Sequence, residues 1–186
     1  MKKIHMLALA LFAAAGAAQA QPYVLLSAGS ARLNVDCTGT TSCDSRGTGF
    51  KVMGGWKFLP SLAAEVGYFD YGKAKASAGG VTAEIATTGF GAGVAFLQDI
   101  STDWNFAGRL GVASVKTKIS GTAGGASGSD SSTNTAPYAG LSIGYKLSKT
   151  VSIDAAWDLG RSKYAKNGTD TSGNVNVLSL GVTMGF

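Results

Sequence analysis

The sequence predicts an all-β chain: an eight-stranded antiparallel up-and-down transmembrane β-barrel with short periplasmic turns and four longer extracellular loops. Three observations predict it. The amino terminus has the form of an export signal, turn residues cut the remainder into eight extended runs of about ten residues or more, and the last run is apolar on one face only. In that last run Leu178, Leu180, Val182, Met184 and Phe186 share one face, and Val177, Ser179, Gly181, Thr183 and Gly185 share the other.

The amino terminus reads as a secretory signal. Lys2 and Lys3 form a basic start, an apolar run extends from Met6 to Ala18, and Ala18-Gln19-Ala20 places small residues where signal peptidase cuts, so cleavage is expected after Ala20. A spanning helix needs ~20 apolar residues, and no segment reaches that length. The expected division is a signal peptide over residues 1–20 and one barrel domain over 21–186.

The expected strands are 23–33, 48–58, 62–73, 82–97, 103–119, 136–147, 151–164 and 174–186. Short connectors at 59–61, 98–102 and 148–150 alternate with longer Gly- and Ser-rich ones at 34–47, 74–81, 120–135 and 165–173. That alternation predicts three periplasmic turns, four outer loops, and both termini in the periplasm. Alternation within the strands assigns the faces. Pro137, Ala139, Leu141, Ile143 and Tyr145 point outward, as do Val151, Ile153, Ala155, Trp157 and Leu159, and Trp104, Phe106, Leu110 and Val112. Tyr138, Gly140, Ser142, Gly144, Ser152, Asp154, Asp158 and Arg109 point inward.

A soluble β-sandwich shows the same alternation with the senses reversed. Aromatics near strand ends on the apolar face (Trp56, Phe58, Trp104, Phe106, Tyr145, Trp157, Phe186), a polar and glycine-rich opposite face, and the aggregation hazard of open edges favour a membrane barrel. The expected location is the bacterial outer membrane, reached through the periplasm.

Composition narrows the function. The chain is 45% hydrophobic with 27 Gly, and removing the signal takes the only histidine, His5, leaving 14 basic against 11 acidic residues. So small an excess, unclustered, does not point to nucleic acid. No cofactor is expected. Gly89, Gly91 and Gly93 lack the spacing of a nucleotide loop, and 121–132 reads as a mobile low-complexity loop and not a calcium site. Asn167-Gly168-Thr169 reads as a turn.

Cys37 and Cys43, with five residues between them in the first long loop, read as a periplasm-formed disulfide worth roughly 2 kcal/mol; their spacing without histidine matches no metal site. The inward charges are Lys51, Lys57, Glu65, Arg109, Lys146, Asp154 and Asp158. Glu65, Arg109 and Asp154, with Lys51 nearby, are expected to form a charge-assisted network across the lumen, the alternative being that trapped water solvates them separately. Lys73, Lys75, Lys116, Lys118, Arg161, Lys163 and Lys166 lie near the outer strand ends, either against lipopolysaccharide phosphates or as solvated rim charges.

The stretches GFKVMGGWKFLPSLAAEVGYFDYGKA (Gly49 to Ala74) and NFAGRLGVASVKTK (Asn105 to Lys118), with the terminal Phe186, resemble the OmpA-like transmembrane barrel family. The resemblance implies insertion by the barrel-assembly machinery, which in that family reads the last strand and its terminal aromatic, here Phe186. It also implies a polar plug containing Glu65 and Arg109. OmpA itself continues into a peptidoglycan-binding domain, which this chain is not expected to have. Outer-membrane barrel enzymes resemble one another in relying on histidine, so this chain is expected not to be an enzyme; carboxylate-only catalysis by Asp154 and Asp158 is the formal exception. The leading expectation is a structural barrel that contributes to envelope integrity, with or without a narrow or gated path for small ions or solutes. The alternative is a surface adhesin, or host or phage interaction protein, acting through its outer loops. Membrane lipid and lipopolysaccharide are the expected partners.

Overall fold

The computed structural model describes residues 21–34, 40–166 and 169–186, with only the backbone described within 162–172. The strands are β1 (Gln21–Leu33), β2 (Ser42–Asp44), β3 (Arg46–Leu59), β4 (Leu62–Ala78), β5 (Val81–Asp99), β6 (Trp104–Ala123), β7 (Ala126–Lys146), β8 (Val151–Lys166) and β9 (Thr169–Gly185). Eight of them form a closed antiparallel ring in the order β4-β3-β1-β9-β8-β7-β6-β5, with β5 returning to β4. The short β2 pairs with the outside end of β4. Closure pairs each of the eight ring strands on both sides within the barrel wall and leaves no edge at that height.

Period two decides which way each residue faces. Along β7, Tyr138, Gly140, Ser142 and Gly144 are buried while Pro137, Leu141, Ile143 and Tyr145 are exposed, and β8 repeats the pattern with Ser152, Asp154, Ala156 and Asp158 inside. The outside is an apolar belt: Phe90, Leu110, Leu178 and Leu180 each expose about two-thirds of their surface, at 69%, 65%, 67% and 68%. An apolar surface wrapped round the whole circumference has no place in water. Aromatics mark both borders of the belt. Trp104 meets Tyr145 edge-on at 5.3 Å at the end carrying the termini, and Phe50, Tyr68 and Phe90 form a row at 5.7 and 5.0 Å at the far end.

The far-end connectors differ from the sequence expectation. Where 74–81 and 120–135 were expected as loops, the strands continue and close through Gly79-Gly80 and Gly124-Gly125, whose φ values of 56° and 80°, and 56° and 86°, suit the turns that match strand twist. The span 165–173 is likewise mostly strand, with 167–168 outside the described residues, and 34–47 contains β2. The segment 121–132 is therefore a paired hairpin rather than a mobile loop. Beyond the apolar belt a strand has no need of an oily face, so Ser and Thr alternate there and the composition imitates a loop.

A bulge in β4 changes the facing of its outer end. Between Asp70 and Lys73 the register with β5 slips, Gly72 takes φ 77°, and its N–H donates to Asp70 Oδ1 at 2.8 Å. Tyr71 and Gly72 are both buried, so the alternation restarts one position later. Lys73 and Lys75 consequently face outward and Ala74 faces in.

Candidate functional site: the barrel lumen

The inward face of a small barrel must be filled by side chains, and here it is filled in layers. Nearest the termini lies a cavity of about 510 Å³, lined among others by Lys57, Asn105, Arg109, Ser142, Lys146 and Asp154. It ends at the first charged layer. Arg109 Nε donates to Glu65 Oε1 at 3.1 Å and its Nη1 donates to Ser142 Oγ at 2.8 Å, while the Tyr23 hydroxyl donates to the same Glu65 oxygen. Arg109 and Glu65 are 4% and 2% exposed.

One step further out, Lys51 Nζ donates to both oxygens of Asp158, at 2.8 and 2.6 Å. Strands β3 and β8 supply these residues from different walls, so the pair bridges the lumen. Around and beyond it an apolar plug fills the outer half: Phe69, Tyr71, Ala113, Val115, Tyr138 and Val177 are all buried together, Phe69 in register with Lys51 and Val177 with Asp158, while Met53 of the same cluster lies two residues to the periplasmic side of Lys51 on β3. Phe69 stacks on Tyr71 at 5.8 Å and tilts against Tyr138 at 5.0 Å. The lumen is thus not polar throughout, as the glycine-rich inward face had suggested. Those glycines make room for rings. A Cβ added at Gly111 would sit 2.5 Å from the Tyr138 ring, and one at Gly93 would sit 2.7 Å from its hydroxyl.

Of the expected network, Glu65 and Arg109 meet, whereas Asp154 makes no ion pair among the described residues. Asp154 instead accepts from Thr183 Oγ1 at 2.7 Å and from Ser152 Oγ at 3.2 Å, nearer the termini. Lys51 is committed to Asp158 rather than to the Glu65 group. Rows of the sheet explain the split: Asp158 lies beside Gly140 and Asp154 beside Gly144, so four residues of strand, ~13 Å, separate the two carboxylates. Tyr23 and Ser142 are members that sequence reasoning missed. Both occupy inward positions, which is the available signal, but their height in the lumen depends on strand stagger and not on any local pattern.

Of the expected disulfide, Cys37 lies outside the described residues, and Cys43 sits on β2 and is disulfide-bonded rather than free. Phe186 is exposed at the rim beside the termini, its N–H donating to Pro22 O at 3.0 Å. Lys73 and Lys75 reach Glu84 at 3.0 and 3.5 Å, and the hydrogen bond from Lys73 above all holds the Glu84 carboxyl below the usual carboxylate range. No group of acidic, histidine or cysteine side chains suited to a metal occurs among the described residues.

Residues 4–186 match the family described as outer membrane protein beta-barrel domain. No curated protein matches the chain in sequence. Among solved structures it is similar to neisserial surface protein A, at 18% identity and a TM-score of 0.61 over 89% of this chain and 97% of that one. It is also similar to Ail, the attachment invasion locus protein of Yersinia pestis, at 16% identity and a TM-score of 0.59 over 89% and 98%. The N-terminal β-barrel domain of Pseudomonas aeruginosa OprF aligns at 14% identity and a TM-score of 0.50 over 90% and 100%.

Proposed function

From the premise that this chain belongs to the outer membrane protein β-barrel domain family, and so is an integral protein of the bacterial outer membrane, we propose that it is a non-enzymatic structural barrel whose lumen is closed. It contributes to envelope integrity and does not conduct solutes. The termini and short turns face the periplasm, the hairpins face outward, and the terminal Phe186 serves the barrel-assembly machinery during insertion. The observation that carries this reading is the succession of Glu65–Arg109, Lys51–Asp158 and the Phe69–Tyr71–Tyr138 plug across one lumen. Desolvated ions locked in pairs are poor carriers of a permeating charge, and the plug above them excludes water. Planar bilayer recording tests it: the purified barrel should give no discrete steps, and Tyr138→Ala combined with Lys51→Ala should introduce them. Stable unitary conductance from the unaltered protein would overturn the closed-barrel reading.

A second reading, surface interaction, rests on a specific observation. β7 pairs with β8 only from Tyr138 to Lys146, so among the described residues the strand ladder of 126–137 continues on the β6 side alone. Pro137, which cannot donate a backbone hydrogen bond, sits where that pairing stops. An open strand edge projecting from the cell is suited to adding an extended segment of another protein. Cys43, disulfide-bonded and with Cys37 as the proposed partner, would steady β2 against the outer end of β4. Deleting 114–135 while keeping the barrel should abolish cell or phage binding under this reading and leave envelope integrity unchanged.

A further inference from the structure

The rim just outside the apolar belt carries a pair of charges that the sheet places together at an energetic penalty. Arg32 of β1 and Arg46 of β3 are directly opposite one another in the register, and both are exposed on the outward face. Directly opposed residues have Cβ atoms only ~5 Å apart, and like charges there repel. Among the described residues no carboxylate forms an ion pair with either arginine. Of the described acids near this end of the sheet, Asp44 accepts the backbone N–H of Arg46 and lies in register with Lys75, and Asp70 is turned onto Gly72.

Height fixes what meets them. On β1 the outward series runs Val24, Leu26, Ala28, Ser30, Arg32, and on β3 it runs Val52, Phe50, Thr48, Arg46. Each arginine therefore stands four residues beyond the last apolar outward position, ~13 Å along a tilted strand and roughly 10 Å above the hydrocarbon edge. A headgroup layer is on the order of 5–8 Å deep, and arginine leans back toward it on its apolar stem. Lys116 occupies the equivalent place on β6, four residues beyond Val112, and the β4 bulge turns Lys73 outward at the same border. The belt below is the acyl-chain surface of an outer-membrane protein, so this cationic border is continuous with it.

We propose that Arg32 and Arg46 form a clamp for the phosphate of a phosphorylated lipid in the outer leaflet, whose acyl chains lie on the belt beneath. Two guanidinium forks can hold one phosphate bidentately, which converts the repulsive pair into a bridged one. The sign of the stability effect then depends on the lipid.

The test is the thermal midpoint of the heat-sensitive gel shift of the full barrel in zwitterionic detergent, with and without bisphosphorylated lipid A. Saturating lipid A should raise the midpoint by about 5 °C. Arg32→Gln/Arg46→Gln, or Arg46→Gln alone if the double variant folds poorly, should lose most of that rise yet match or exceed the parent midpoint in detergent without lipid A. Two control arms separate the sources of phosphate: dephosphorylated lipid A and inorganic phosphate should each leave the parent nearly unmoved. The proposal is overturned if the double variant keeps the full rise, if the dephosphorylated lipid works as well, or if inorganic phosphate alone reproduces the effect.

Discussion

Gly140 divides the inner wall of the barrel into two regimes. On its periplasmic side the inward positions carry ions and hydroxyls, Arg109, Ser142, Asp154 and Glu65, around an open cavity, with the Lys51–Asp158 pair at the border; on its outer side they carry rings and aliphatics, Tyr138, Phe69, Tyr71 and Val115, packed together. Both are lined by strands of one ring with one alternation. The difference teaches that a small barrel can close itself by two unlike means, one specific and unforgiving, the other additive. A buried ion pair contributes little net stability but becomes strongly destabilising when one partner is lost, whereas a ring contributes in proportion to what it fills.

The largest effect should come from splitting an ion pair. Lys51→Ala strands Asp158 in the lumen and should lower stability by about 4 kcal/mol, read from urea unfolding in vesicles, while Lys51→Met/Asp158→Leu should recover most of that loss. Should the single variant prove harmless, the charged half is no different in kind from the apolar one. Tyr138→Ala ranks next, at about 3 kcal/mol, because its ring fills the space left by Gly91, Gly93 and Gly111. Overfilling the same site with Gly111→Ala should forfeit about 2 kcal/mol. Tyr23→Phe removes one hydrogen bond to Glu65 and should lower the urea midpoint by an amount equivalent to about 1.5 kcal/mol.

The smallest effect lies outside both regimes, at the exposed Lys73–Glu84–Lys75 group. Glu84 titrates below its ordinary range in the folded chain, so the contribution of the group is present above that range and fades as pH falls through the depressed value. A carbon-detected titration of Glu84 should show the depressed midpoint, and Lys73→Gln/Lys75→Gln should restore it.

The eight strands and the facing of Arg109, Glu65, Asp154 and Asp158 were legible because side-chain period is rigidly two, and a misplaced charge would meet lipid. Partnership was not legible. Lys51 and Asp158 are separated by 107 residues and meet across the lumen, which depends on strand stagger and tilt, quantities that no local pattern encodes. The apolar plug escaped notice for a related reason: inward Tyr71, Phe69 and Tyr138 are scattered over two distant strands among glycines, and only the closed ring gathers them. The outer hairpins were misread because Ser- and Thr-rich alternation is common to loops and to strands standing in water. The outward Lys73 and Lys75 depended on a one-residue bulge at Tyr71-Gly72, which the sequence marks only by a glycine.

Sided labelling with a membrane-impermeant thiol reagent, on the barrel reconstituted in one orientation, tests the division of the lumen most directly. Asn105→Cys, in the cavity, should react from the periplasmic side alone, and Ala113→Cys, in the plug, should react from neither side. Labelling of Ala113→Cys from outside, or of Asn105→Cys from both faces, would mean that water passes the barrel, and the closed-lumen account would fail.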